Sequence, residues 1–139
     1  MADTIYIPDC GKNKLVELIL GLDLAEDLLL KLFTNDLTIT DSTVASDFTE
    51  MSGHGYAAKT LTMANWGTPS VTDGQAISTY AQQTWTFTAG SLVNVYGYYV
   101  VMATTGTLLW ACKFGAAKPI QYDGETISVT PEFRLGKKA

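Results

Sequence analysis

Histidine occurs once, cysteine twice and lysine plus arginine nine times in these 139 residues, against 14 acidic side chains. Each scarcity excludes something. A net charge of -5 and a pI near 4.6 leave no basic face to replace the counterions around phosphates, so a nucleic-acid partner is not expected. The one basic cluster, Lys137-Lys138, reads as a solvated tail. Cys10 and Cys112 are too few for a disulfide framework and lack the spacing of a zinc site, so neither a metal nor another cofactor is expected. The longest apolar stretch, "KLVELILGLDLAEDLLLKLF", is interrupted by Glu17, Asp23, Glu26, Asp27 and Lys31 and does not read as a membrane span. The opening "MADTIYIPDCGKNK" has no basic start followed by an apolar core, so a secretory leader is not expected and the chain reads as made in a cytoplasm.

Catalytic groupings are equally thin. His54 stands in "SGHGY" with Ser52, Asp47 and Glu50 nearby, but a triad needs a base oriented between two partners, and a Gly-flanked histidine reads as a turn residue. Asp36, Asp41, Asp47 and Glu50 do not follow the ligand spacing of an EF-hand loop. The glycines at 53 and 55 lack the Lys-Ser/Thr ending of a phosphate loop. The chain is therefore read as a non-enzyme.

What is present is apolar residue at 47%, charge at only 17%, and an abundance of Thr, Ser and Gly. That suits one β-rich domain with a real core over residues 1–139, its first 24 residues forming an arm and a helix. Leu15, Leu18, Ile19 and Leu22 follow the i, i+3, i+4, i+7 spacing of a helix over about residues 12–20, with Gly21 to stop it. "DLLLKLF" is short and followed by a polar turn, which predicts a strand over 27–33. "TITDSTVASDFTEMSGHGY" has no sustained period and reads as a long loop, with one helical turn near "VASDF" capped by Asp41 or Ser42.

Beyond residue 57 the period becomes two. "AISTYAQQTWTFT" sets Trp85 and Phe87 toward a core, "GTLLWACKF" aligns Leu108, Trp110, Cys112 and Phe114, and "ETISVTPEFRL" aligns Ile127, Val129, Phe133 and Leu135. In "LVNVYGYYVVMA" neither face is polar: Val93, Val95, Tyr99 and Val101 alternate with Leu92, Tyr96, Tyr98, Val100 and Met102. Such a strand is central, with one face in the core and the other under the helix, a loop or another subunit, and Gly97 marks a bulge or a close approach. Seven or eight short strands separated by turn signals predict a mainly β chain, an antiparallel sandwich or jelly roll with one short N-terminal helix and a long early loop, to which the first sixty residues are an extension.

The order "IPD.G", then "LLLKLFTNDLTITDSTVASDFTE", "GYAAKTLT", a Trp, and "VYGYYVVMATTGTLLWACKF" resembles a family of small virion proteins of tailed bacteriophages and prophages. It covers nearly the whole chain and brings no catalytic residues. The resemblance implies a structural part of the particle, a head decoration or cement protein or a small head or tail component, whose partners are the major capsid protein or other virion subunits. A dimer or trimer is expected, with contacts from Leu15, Leu18, Ile19 and Leu22 on the helix or from Tyr96, Tyr98, Val100 and Met102 on the apolar strand. The alternative is a tail-associated carbohydrate-binding module, with Tyr56, Trp66 or Tyr122 as stacking rings and Asp73, Gln75 or Asp123 as hydrogen-bonding groups in predicted loops.

Overall fold

A computed structural model describes residues 4–136 and is mainly β, with antiparallel sheets and one α-helix near the N-terminus. Lys137-Lys138 and the first three residues of the expected arm lie outside the described residues. The main sheet is built on a long hairpin, β7 (Val93–Met102) and β8 (Leu108–Ile120). Strand β2 (Leu28–Phe33) pairs with β7 from Leu28↔Met102 to Phe33↔Gly97. The edges are β1 (Thr4–Tyr6), on β8, and β3 (Lys59–Leu61), on β2, which gives the order β1-β8-β7-β2-β3. The opening sixty residues are thus not an extension of the β domain: β2 is an interior strand, and residues 4–6 of the expected arm form an edge of the same sheet.

Two smaller sheets stand over one face of this sheet. Strands β4 (Ser70–Thr72), β5 (Gln75–Thr79) and β10 (Glu132–Gly136) form one, in the order β10-β5-β4, and β6 (Gln83–Thr86) pairs with β9 (Thr126–Val129) in the other. β4 and β5 are joined by Asp73-Gly74, both at positive φ (53° and 78°), the backbone a two-residue hairpin favours. The sequence predicts continuous strands through "AISTYAQQTWTFT" and "ETISVTPEFRL", but each breaks in two, at 80–82 and at 130–131. The breaks face each other: Thr79 pairs with Glu132 below them and Gln83 with Val129 above. Pro131 has no N–H to give to a ladder, and its carbonyl instead accepts from the Tyr80 N–H at 2.8 Å. The two small sheets are therefore one antiparallel ribbon bent at Pro131.

Between the layers lies the larger core cluster, in which Leu30, Leu32, Tyr98, Val100, Met102, Trp110 and Cys112 of the main sheet meet Trp85, Phe87, Ile127 and Val129 of the ribbon. The opposite face of the main sheet carries Phe33, Tyr99, Val101, Leu108 and Ala111 and is closed by the loop after β2, through Leu37, Ile39, Ala45 and Phe48. Phe48 stacks on Tyr99 with ring centroids 4.4 Å apart. This explains the two apolar faces of "NVYGYYVVMA": both are covered within one chain. The strict alternation expected along β7 slips once, because a register shift between Val95 and Gly97 puts Val95 on the side of Tyr98 and sends Tyr96 to the other cluster. A second shift opposite Leu109 moves Leu108 away from Trp110 and Cys112, with which it was expected to share a face. Gly97 marks both a bulge and a close approach: a methyl there would lie 2.7 Å from the Phe33 ring and closer still to the Cys112 carbonyl oxygen.

The loop is ordered by its own polar groups. Its single helical turn, Ala45–Asp47, sits where "VASDF" predicts one, but the cap differs: the Val44 N–H donates to the Asp47 carboxylate at 2.9 Å. Asp41 accepts instead from the Tyr6 hydroxyl at 2.7 Å, and Ser42 pairs with the Thr40 hydroxyl. Both interactions tie the loop rather than start a helix.

Candidate functional site

Helix α1 (Asp9–Ile19) begins three residues before the expected boundary and lies across β8. Its contact face is set by a glycine. A methyl on Gly11 would lie 2.9 Å from the Leu109 carbonyl carbon, so helix and strand touch backbone to backbone. Leu15 and Leu18, four and seven residues on, follow Gly11 on this face and are half-buried, with Leu18 packed against the larger core cluster. The helix stops at Gly21 (φ 73°), whose N–H donates to the Leu18 carbonyl while the Leu22 N–H reaches the Glu17 carbonyl at 2.9 Å. That pair of bonds is a Schellman cap.

Because the cap turns the chain out of the helix, Leu22 leaves the line of Leu15 and Leu18 on which the i+7 spacing placed it. Leu22 is 74% exposed and Ile19 76%, so the four candidate positions divide two inward and two outward. Outward they are joined by Val16 and Leu20 on the same helix face and by Leu24 in the following turn, each more than half exposed. Five large aliphatic side chains are thus exposed within nine residues at the end of α1, a patch made of the helix face and the turn after it. Sequence periodicity finds the buried pair and misses Val16, Leu20 and Leu24, although five apolar residues among the six of "LVELIL" already signal a second apolar face.

The patch is held rigidly. Lys14, little exposed despite its charge, bridges Glu17 and Asp23 at 2.7 Å each, which fixes the turn carrying Leu22 and Leu24 to the helix. The Asp23 carboxyl is held below its ordinary range by Lys14 first and by the Leu24 N–H second, and the same two carboxylates push the Lys14 ammonium well above its own. Further on, Glu26 accepts from the Thr104 N–H and Asp27 from the Met63 N–H, each at 2.8 Å, which anchors the far side of the turn to the β7–β8 hairpin and to the residues after β3.

The other expected contact residues are placed differently. Tyr98, Val100 and Met102 belong to the larger core, with Val100 and Met102 at most 1% exposed, and Tyr96 packs against the smaller cluster. Their apolar area is used inside the chain, where β8 and β2 flank the strand, so it offers no surface to a neighbour. The rings considered for sugar stacking do not come together either. The Tyr56 hydroxyl donates to Glu50 at 2.9 Å and accepts from the Leu32 N–H, and burial pushes it well above the usual phenol range. Trp66 packs edge-on against Tyr80 and Trp110, and Tyr122 alone stands mostly exposed. Asp73 serves the β4–β5 turn and Gln75 accepts from Arg134, while Asp123 lies exposed beside Tyr122.

His54 closes a loop: its Nδ1 lies 2.9 Å from the Thr88 carbonyl, whose own N–H donates to the His54 carbonyl. Glu50, the candidate carboxylate nearest His54 in the sequence, is engaged by Tyr56 and by Lys31 at 3.2 Å. Cys112 is a core thiol and Cys10 lies against the Thr43 and Leu108 carbonyls; the two are not bonded to each other. Among the described residues no group of three or more His, Cys, Asp or Glu is arranged to hold a metal, and no helix is long and apolar enough to cross a membrane. A cleft of about 680 Å³ opens between the β1–β8 edge and β9–β10. Its charged groups already have partners, with Lys118 over the Phe114 ring and Arg134 bonded to Glu132 and Gln75. Comparisons with protein-family models, with curated proteins and with solved structures find no match to this chain.

Proposed function

We propose that this protein is a non-enzymatic structural component of a tailed-phage virion, a decoration or cement protein that binds the major capsid protein shell. The observation that carries the reading is the patch of Val16, Ile19, Leu20, Leu22 and Leu24, five aliphatic side chains exposed together on a helix end that ion pairs hold still. A cluster of exposed apolar side chains marks an interaction surface, and one tied down before binding loses less conformational freedom when a partner covers it. A rigid β domain of low charge density presenting such a patch is what a shell-binding part requires, and the family resemblance of residues 7–114 points the same way. A dimer or trimer of the chain would use other surface, and Val71 and Leu135, exposed on the β10-β5-β4 sheet, are the candidates for it.

The test is to mix purified chain with emptied shells of the phage that encodes it and to sediment the shells. Pelleting that saturates at a fixed ratio to the capsid protein supports the reading. A chain that stays in the supernatant at every ratio contradicts it.

A further inference from the structure

The chemistry of the patch's partner can be read from its rim, an inference that rests on the proposal that a neighbouring subunit covers the patch. Lys14 is held between Glu17 and Asp23 at this end of the helix, while Lys12 with Asp9 and Asp41 lies at the opposite end. Glu26 and Asp27 follow Leu24 and Ala25, and among the described residues they accept from the Thr104 and Met63 N–H groups. Residues 14–27 therefore carry four carboxylates, Glu17, Asp23, Glu26 and Asp27, against one lysine, and that lysine is already paired.

We propose that the patch docks into an apolar groove on a different protein whose rim carries lysine or arginine, and not against a second copy of itself. Two copies meeting through this patch would bring the same excess of carboxylates together, and like charges facing across an interface suppress association. An anionic lipid surface would be repelled for the same reason, although the aliphatic patch alone would suit a membrane. A basic rim meets both demands, because it covers the five side chains while giving the outer carboxylates partners. Rim charges of this kind act mainly on the association rate and on its dependence on salt.

Two synthetic amphipathic helical peptides test the proposal, identical in their leucine stripe and differing in flanks of lysine or of glutamate. Fluorescence anisotropy should show the lysine peptide binding at least about tenfold more tightly at low salt, with the preference shrinking as salt screens the rim. A Leu22→Ser/Leu24→Ser variant, both positions exposed and neither charged, should lose that binding while keeping the wild-type circular dichroism and unfolding midpoint. Equal binding of the two peptides, or lysine-peptide binding that the serine variant retains, would overturn the proposal. So would sedimentation showing self-association that the serine variant abolishes, or patch-dependent binding to phosphatidylglycerol vesicles. The virion reading fails separately: selective peptide binding without shell binding removes the shell as partner, and shell binding retained by the serine variant removes the patch.

Discussion

Replacing Gly11 by alanine sets two known effects against each other. In an isolated helix the change is favourable by about 1 kcal/mol, because glycine loses more backbone freedom on folding. Here the new methyl would meet the main chain of Leu109, 2.9 Å from its carbonyl carbon and nearer to its oxygen, and a strand backbone cannot rotate aside as a side chain can. Ordinary carbon contacts begin near 3.5 Å, so the helix must lift by about 1 Å. Lifting loosens Leu15 and Leu18 and moves the Cys10 thiol away from the Thr43 and Leu108 carbonyls, 3.4 and 3.6 Å from its sulfur. Overpacking of this kind costs about 1–3 kcal/mol beyond any gain in propensity. The net expectation is a loss of about 1–3 kcal/mol in urea unfolding with an unchanged m-value. Faster reaction of the Cys10 thiol with a disulfide reagent under native conditions should accompany it. An Asn13→Ala control on the exposed side of α1 should do neither. A Gly11→Ala variant at least as stable as wild type, with the same Cys10 reactivity, would refute the close helix–strand contact on which the placement of the patch depends.

Three further outcomes follow from the same geometry. Trp85 donates its indole N–H to the Ala57 carbonyl at 2.8 Å, whereas the Trp110 indole N–H, buried among Trp66 and Phe133, meets no acceptor among the described residues; Trp85→Phe should therefore destabilise more than Trp110→Phe, by about 1 kcal/mol in chemical denaturation. Burial of Tyr99 raises its hydroxyl to about 12, so the stability gained by keeping it neutral is fully present below pH 10 and is lost as pH rises from 10 to 12. Tyr99→Phe should accordingly move the alkaline unfolding midpoint upward. Asp23 is shifted the other way, so its contribution is present above the ordinary carboxylate range and is lost as pH falls through its lowered value. Lys14→Met should reduce that acid dependence to the part the Leu24 N–H supplies and speed amide hydrogen exchange across residues 20–24 without changing exchange in β7 and β8.

The parts of this fold that were legible in the sequence are those where a local period survives packing. Trp85, Phe87, Ile127 and Val129 point inward as their alternation says, and β2 starts and ends within one residue of expectation. Where the backbone departs from regularity, reading fails in a specific way. Three more residues on β8 than on β7 between Val95↔Lys118 and Gly97↔Lys113, and one more at Leu109, break the alternation, and only Gly97 hints at the first. The segment 34–50 shows no period because it is a covering loop, and Leu37, Ile39 and Phe48 are positioned by the sheet they close rather than by their own spacing. That cover is also why the apolar strand β7 needs no neighbour, which moves the candidate interface from Tyr98, Val100 and Met102 to the end of α1. There the i, i+3 pair Leu15 and Leu18 identified the packed face, while the outward placing of Leu22 and Leu24 arises from the Schellman turn at Gly21 and the Lys14–Asp23 bridge, one a backbone conformation and the other a contact nine residues long.

The central claim is that this chain is a structural part of a virus particle, and the most direct measurement is its copy number by quantitative mass spectrometry of purified particles of the phage that encodes it. The account predicts an abundance of the same order as the major capsid protein. A few copies per particle would place it in the tail or neck instead, and its absence from intact particles would contradict the account.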